Sequence, residues 1–184
     1  MARARNPVLF RALRDVALCA LLMATGLGVS TAQGAAGDAA AKAKFVITFA
    51  RFVQWPTSAF ASPDAPLRLC LQHASASVGE AFAAHQGALV GGRPLLIVGP
   101  GADTAGCRLV YVDSSAQRAA TLPQATGEPV LTLGAVDGFV ARGGMVEIVN
   151  VDDTLRFDVN LRAMRGAQLA VSSQVLRLAR QVRE

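Results

Sequence analysis

Residues 143–182 read GGMVEIVNVDDTLRFDVNLRAMRGAQLAVSSQVLRLARQV, and this stretch decides the fold. A Gly-Gly turn leads into an apolar strand at residues 145–151, and Asp152 and Asp153 form a turn into a second strand. Polar and apolar side chains alternate along that second strand, in the order Thr154, Leu155, Arg156, Phe157, Asp158, Val159 and Asn160. Period-two alternation predicts a β-hairpin that buries one face.

The remainder of this stretch is predicted to be helical. Ser172-Ser173 is a favourable helix N-cap, and the residues after it place Val175, Ala179 and Val182 on one face. We therefore expect a C-terminal antiparallel hairpin with a closing helix packed against it.

An aromatic-rich segment, KFVITFARFVQWP at residues 44–56, predicts a second major element. Its apolar residues recur at helical spacing, so we expect a helix from about Lys42 to Trp55. We expect this helix to face the core, with partner binding as the alternative. Pro56 disfavours helical geometry at Trp55 and is expected to end the helix there.

Between these two segments, short apolar runs alternate with helical patterns. Strands are expected at residues 67–71, 94–98, 107–112 and 129–133, and helices at 77–86 and 114–122. Ser77 and Glu80 have the spacing of a capping box for the first of these helices. This order predicts an α/β fold, a single domain with a largely parallel central sheet flanked by helices.

Residues 1–32 have the composition of a secretory signal peptide. Four arginines precede an uncharged run at 16–29, which ends in Ser30-Thr31-Ala32. This run is shorter than the roughly 20 residues that span a membrane. Cleavage after Ala32 leaves residues 33–184 as one periplasmic domain. The leader carries four Arg and one Asp, so the formal charge falls from +5 to about +2, and the basic excess is no sign of nucleic-acid binding.

Two cysteines remain after this cleavage, Cys70 and Cys107. In an oxidising compartment an even pair is typical of a disulfide, and each lies in or beside a predicted strand. Two buried free thiols are the alternative. A metal site is not expected, because only His73 and His85 lie nearby and their spacing matches no ligand pattern.

The sequence contains no phosphate-binding loop, nucleophile elbow or zinc-protease motif. A two-residue turn would place Glu147 opposite Asp158, with their Cβ atoms about 5 Å apart. This is close to the roughly 5–5.5 Å that separates the two carboxyl groups of retaining glycosidases. A small flat hairpin offers no evident cleft for a sugar, and Arg142 and Arg156 could neutralise the pair. We therefore expect a structural or partner-contacting pair, with glycan hydrolysis as a remote alternative.

Residues 42–56 and 143–182 resemble two conserved blocks of the YfiR-like family of small periplasmic proteins. The shared features are an aromatic-rich helix closed by Trp-Pro, a Gly-Gly strand, a Phe-acidic-hydrophobic-Asn strand and a Ser-Ser helix. The resemblance implies a regulatory protein, not an enzyme, which restrains an inner-membrane diguanylate cyclase by binding its periplasmic sensor region. That activity lowers cyclic-di-GMP and biofilm formation.

One further function remains open at the level of the sequence. The same fold could serve as a small-ligand-binding input module for a membrane sensor such as a histidine kinase or a receptor. A homodimer is also open, whereas no cofactor or nucleic-acid partner is expected. For a protein–protein interface, the candidate partner-binding residues are Arg51, Trp55, Glu147, Arg156 and Asp158.

The signal peptide gives the first testable prediction. Protein recovered from an osmotic-shock fraction should have the intact mass of a chain that begins near Gln33, because the export machinery removes a leader of this composition. A recovered mass that still includes Met1–Ala32 would contradict the prediction.

Overall fold

Among the residues that the structure describes, eight strands form one mixed sheet. A computed structural model describes residues 30–114 and 127–184, with the backbone alone for 30–33. The elements in chain order are α1 (Ser30–Ala50), β1 (Val53–Gln54), a 3₁₀ turn (Thr57–Ala59), β2 (Leu67–Gln72), α2 (Ala76–Ala83), β3 (Leu89–Val90), β4 (Arg93–Val98), β5 (Leu109–Val112), β6 (Leu131–Gly134), β7 (Val146–Val151), β8 (Thr154–Asn160), α3 (Leu161–Gly166), β9 (Ala170–Val171), α4 (Ser173–Leu176) and β10 (Gln181–Arg183).

The strand order in this sheet is β10-β8-β7-β6-β5-β2-β4-β3, and a separate small sheet pairs β1 with β9. The central strands β4, β2, β5, β6 and β7 run parallel, whereas β8 is antiparallel to β7 and β3 to β4. The predicted α/β fold, with a largely parallel sheet and a C-terminal antiparallel hairpin, is therefore confirmed.

The hairpin turns at Asp152 and Asp153, as the sequence predicts. Both residues have positive φ, 49° and 57°, which is the geometry of a type I′ turn. Aspartate tolerates this left-handed region better than most residues, because its short side chain can hydrogen-bond locally. The resulting register pairs Glu147 with Asp158 across the two strands.

The two faces of the sheet bury cores of different size. The larger core contains α1, α2 and the apolar residues on one face of the strands, including Phe49, Phe82 and Tyr111. Phe157 of β8 packs against Phe49, with ring centroids 5.7 Å apart. The opposite face carries a smaller cluster around Cys70, Cys107 and the loop that follows β6.

The first helix begins and ends earlier than predicted, since it starts at Ser30 instead of about Lys42 and ends before Trp55. It stops at Ala50, and Val53 and Gln54 form β1, which pairs with Val171 and Ala170. The backbone N–H of Ser172 also donates to the carbonyl of Phe52 at 3.1 Å. Val53 and Gln54 therefore pair with β9 instead of forming the last turn of the helix. Pro56 favours extended geometry at the residue before it, which is compatible with β1 directly upstream.

The closing helix is also shorter than predicted. Ser172 caps it as expected, accepting from the Gln174 N–H at 3.2 Å, but α4 contains only residues 173–176. The segment after it forms β10, which pairs in parallel with β8 through Val182 and Val159. Val182 therefore occupies a strand, not the apolar face of a helix.

The remaining predictions differ in detail. The predicted strands between residues 67 and 133 lie within two residues of β2, β4, β5 and β6. The helix expected at 77–86 is Ala76–Ala83, and its N-cap is Ser75, which accepts from the Val78 N–H at 3.4 Å. The proposed leader lies almost entirely outside the described residues, as does the helix expected at 114–122, except for Ser114.

Cys70 and Cys107 form a disulfide, with their Cα atoms 6.0 Å apart. Cys70 lies in β2, and Cys107 lies two residues before β5, the strand that pairs with β2. The bond therefore joins two adjacent strands of the sheet within the smaller core.

Replacing both cysteines with serine should lower the free energy of unfolding by about 4 kcal/mol, because the chain-entropy model assigns that value to a loop closed over 37 residues. Urea unfolding of the wild-type chain and the double variant measures the difference. Thiol titration under denaturing, non-reducing conditions should find no free sulfhydryl in residues 33–184. Two titratable thiols there would contradict the disulfide.

Candidate functional site

Glu147, one of the two acidic candidates, is held within the protein. Its side chain is only 7% exposed. One carboxylate oxygen accepts from the Gly138 N–H at 2.9 Å and the other from the Val140 N–H at 3.0 Å. Phe139, between these two donors, is fully buried. Glu147 therefore anchors the loop between β6 and β7.

Asp158, its cross-strand neighbour, is only 5% exposed and pairs with Arg180. Arg180 Nε donates to one carboxylate oxygen at 2.9 Å and Nη2 donates to the other at 2.5 Å. This fork geometry is the strongest form of Arg–carboxylate contact. The hydrogen bond to Asp158 raises the pKa of Arg180 above its ordinary value. The pair fastens the segment that leads into β10 onto β8.

The two carboxylates are thus adjacent, as predicted, but both are engaged in structural contacts. Arg180, not Arg156, pairs with Asp158, and Arg156 is exposed. A glycosidase needs one carboxyl group that holds a transferable proton and one that faces the sugar. Because Glu147 binds two backbone amides and Asp158 binds a guanidinium, the contacts favour the structural interpretation over hydrolysis.

A polar cavity of about 600 Å³ lies where the hairpin projects beyond its neighbour. β6 pairs with β7 only through Leu133 and Gly134, so residues 148–151 extend past the end of β6. We call this the edge cavity. Its charged lining residues are Asp38, Lys42, Asp137, Glu147 and Arg180. The expectation that the hairpin offers no cleft is therefore wrong, although Asp158 does not line the cavity.

The edge cavity has a strongly polar wall. Lys42 Nζ lies 2.6 Å from Asp38 Oδ2, one helical turn away on α1. Inside the adjacent core, burial and then the carboxylates of Asp113 and Asp38 raise the pKa of Tyr111. Its phenol therefore stays protonated at neutral pH and adds no charge to this region.

The other two candidates, Arg51 and Trp55, line a second cavity of about 340 Å³ beside β1. Arg51 is exposed and Trp55 is partly buried, with its indole N–H donating to the Arg108 carbonyl at 3.2 Å. Arg93, also in this lining, stacks over the ring of Phe60 at 3.6 Å. The five candidates do not form one site: the cavity that contains Arg51 and Trp55 shares no lining residue with the edge cavity.

The sequence did not predict a third surface, a small cavity of about 110 Å³ between α1 and α4, which we call the apolar groove. Its lining residues are Phe45, Thr48, Phe49, Phe52, Phe157, Val175 and Leu178. Phe52 is 42% exposed and Leu178 is 71% exposed. The aromatic-rich segment at 44–56 was the available signal for this surface. Because the helix was predicted to continue to Trp55 and to face the core, Phe52 was expected to be buried.

Across residues 30–114 and 127–184, no group of three or more His, Cys, Asp or Glu residues could hold a metal ion. Within the same ranges, no helix is long and apolar enough to cross a membrane.

Comparison with known proteins identifies the family. Residues 39–180 match the family model described as YfiR/HmsC-like. This range includes the aromatic-rich segment at 44–56 and all but the last two residues of the stretch at 143–182. The match extends over well more than half of the chain, and the protein therefore belongs to the YfiR/HmsC-like family. No curated protein matches the chain. The family is periplasmic and regulatory, and its members act with a membrane signalling protein.

The contacts of Glu147 predict a purely structural phenotype. Glu147→Ala should lower the free energy of unfolding by about 3 kcal/mol, because it leaves the buried N–H of Val140 and the partly buried N–H of Gly138 without their charged acceptor. Glu147→Gln keeps one oxygen acceptor and should cost less. Chemical denaturation measures both.

Asp153→Asn is the matched control, since it removes a carboxylate from the same hairpin at a position where asparagine tolerates the positive φ. Its effect should be close to zero. A Glu147→Ala variant as stable as Asp153→Asn would show that the carboxylate does not hold the loop.

Proposed function

We propose that this protein is a periplasmic regulatory binding protein that restrains an inner-membrane diguanylate cyclase and so lowers cyclic-di-GMP. The observation that carries the proposal is the family match over residues 39–180. The engagement of Glu147 and Asp158 in structural contacts supports binding over catalysis.

Burial divides the candidate contact residues into two kinds. Arg51 and Arg156 are exposed, and Trp55 is partly exposed, so all three can reach a partner. Glu147 and Asp158 are buried and contribute by holding the hairpin. A charge reversal at Glu147 would destabilise the domain, so it cannot report on the interface, whereas reversals at Arg51 and Arg156 can.

A small-ligand-binding input module is the second candidate function, and the edge cavity is the observation that favours it. Its volume of about 600 Å³ lies within the range of about 300–1,000 Å³ that small-molecule sites occupy. The projection of β7 past the end of β6 places this cavity at the carboxyl edge of parallel strands. That edge is where open α/β sheets bind ligands.

Cyclic-di-GMP measurements test the first function. Deleting the gene should raise cellular cyclic-di-GMP, measured by mass spectrometry, because the cyclase loses its inhibitor. Complementation with the wild-type chain should reverse the rise, whereas Arg51→Glu or Arg156→Glu should reverse it only in part.

Arg165→Glu is the control for these variants, because it makes the same charge change at an exposed residue of α3. It should restore wild-type levels, and circular dichroism should show all three variants folded. Unchanged cyclic-di-GMP in the deletion strain would rule out the cyclase and favour the ligand-binding module.

A further inference from the structure

The apolar groove exposes large hydrophobic side chains to water. Apart from Thr48, every side chain that lines it is apolar. Phe52 and Leu178 are two of the five large hydrophobic side chains that are exposed among the described residues. Covering these side chains would remove apolar surface from water, which is favourable. The groove is a recess with room for a side chain, not a flat apolar face.

A basic surface borders this groove. Thr48 lines both the groove and a neighbouring cavity of about 190 Å³, whose other lining residues are Lys44, Ile47, Arg51 and His85. No carboxylate lines either cavity. The described residues offer neither Lys44 nor Arg51 an ion-pair partner. We call Lys44 and Arg51 the basic border; their charges are available to a ligand.

We propose that the apolar groove binds a segment of a partner protein that presents one large apolar side chain with a carboxylate beside it. The apolar side chain fills the recess between Phe52 and Leu178, and the carboxylate pairs with the basic border. Residues three or four apart on a helix lie on the same face, so an acidic amphipathic helix provides this arrangement. The inference rests on the proposed function for the identity of the partner and on the groove for its chemistry.

Charge and shape favour this occupant over two others. A symmetric dimer through the groove would place two basic borders in one interface, and no carboxylate lines either cavity to pair with them. Attachment to an anionic lipid surface uses a broad apolar face that enters the headgroup region. A recess with two exposed hydrophobic side chains suits a single inserted side chain better.

Site-specific photo-crosslinking in cells tests the proposal on the full-length protein. A benzophenone amino acid replaces Leu178 in one variant and Leu89 in the control. Leu89 is a leucine of similar exposure, 63%, and lies in β3 at the opposite edge of the sheet from β10. We expect the probe at position 178 to crosslink a partner segment with a large apolar residue and Asp or Glu within four positions, as read by mass spectrometry.

Several outcomes would overturn the proposal. These are crosslinks from position 178 to a second copy of this chain, to lipid alone, or to a segment without acidic residues. Absence of a product, or the same product from position 89, would overturn it as well.

The basic border has its own test. Lys44→Glu combined with Arg51→Glu should lower the yield of the crosslink from position 178 about tenfold, the change that 1.4 kcal/mol of binding free energy produces. Arg162→Glu combined with Arg165→Glu makes the same charge change on α3 and should leave the yield unchanged. If the first pair unfolds the chain, Lys44→Gln with Arg51→Gln replaces it. An unchanged crosslink yield in a folded variant of the basic border would overturn the proposal that the partner's carboxylate pairs with it.

The failures of the two proposals can be told apart. If the crosslinked segment is acidic but belongs to a protein other than a cyclase, the proposal for the groove stands and the proposal of a cyclase partner fails. Gene deletion could raise cyclic-di-GMP while complementation with Leu178→Glu restores the wild-type level as fully as Leu89→Glu does. In that case the proposal of a cyclase partner stands and the proposal for the groove fails.

Discussion

Two buried carboxylates on one hairpin constrain the C-terminal half of this protein. Glu147 and Asp158 face each other across β7 and β8, and each would be costly to bury without partners. The backbone amides of Gly138 and Val140 satisfy the first, and Arg180 satisfies the second. Through these contacts the hairpin determines the path of the loop before it and of the segment after it. The acidic pair therefore has a structural role in positioning these two segments.

The packing of Phe139 reinforces this constraint. Its ring lies against Gly134 and Gly144, where even one added carbon would overlap it; a Cβ on Gly134 would lie 2.6 Å from the ring. The loop is therefore held by two means: the carboxylate of Glu147 binds its backbone, and the two glycines admit its aromatic side chain. Binding surfaces with few mobile parts lose less entropy when a partner arrives.

Local patterns in the sequence predicted what depends on local interactions. The alternation at residues 154–160 and the Asp152-Asp153 turn were enough for the hairpin and for the pairing of Glu147 with Asp158. Strands β1 and β10 were missed because both exist only through pairing with distant strands, β9 and β8. The partners of Glu147 are backbone amides, which carry no signal in the sequence. The apolar groove was missed for a related reason, since the exposure of Phe52 depends on where α1 ends.

The small sheet formed by β1 and β9 has a consequence for how the domain unfolds. It joins the residues that follow the first helix to residues in the C-terminal half, through Val53 and Val171. Contacts between positions so far apart in the chain raise the contact order, which slows folding and couples the halves of a domain. Amide hydrogens in α1 and β8 should therefore exchange through a common, concerted opening, since neither element keeps its packing when the other departs. The first helix and the hairpin are therefore expected to unfold as one cooperative unit.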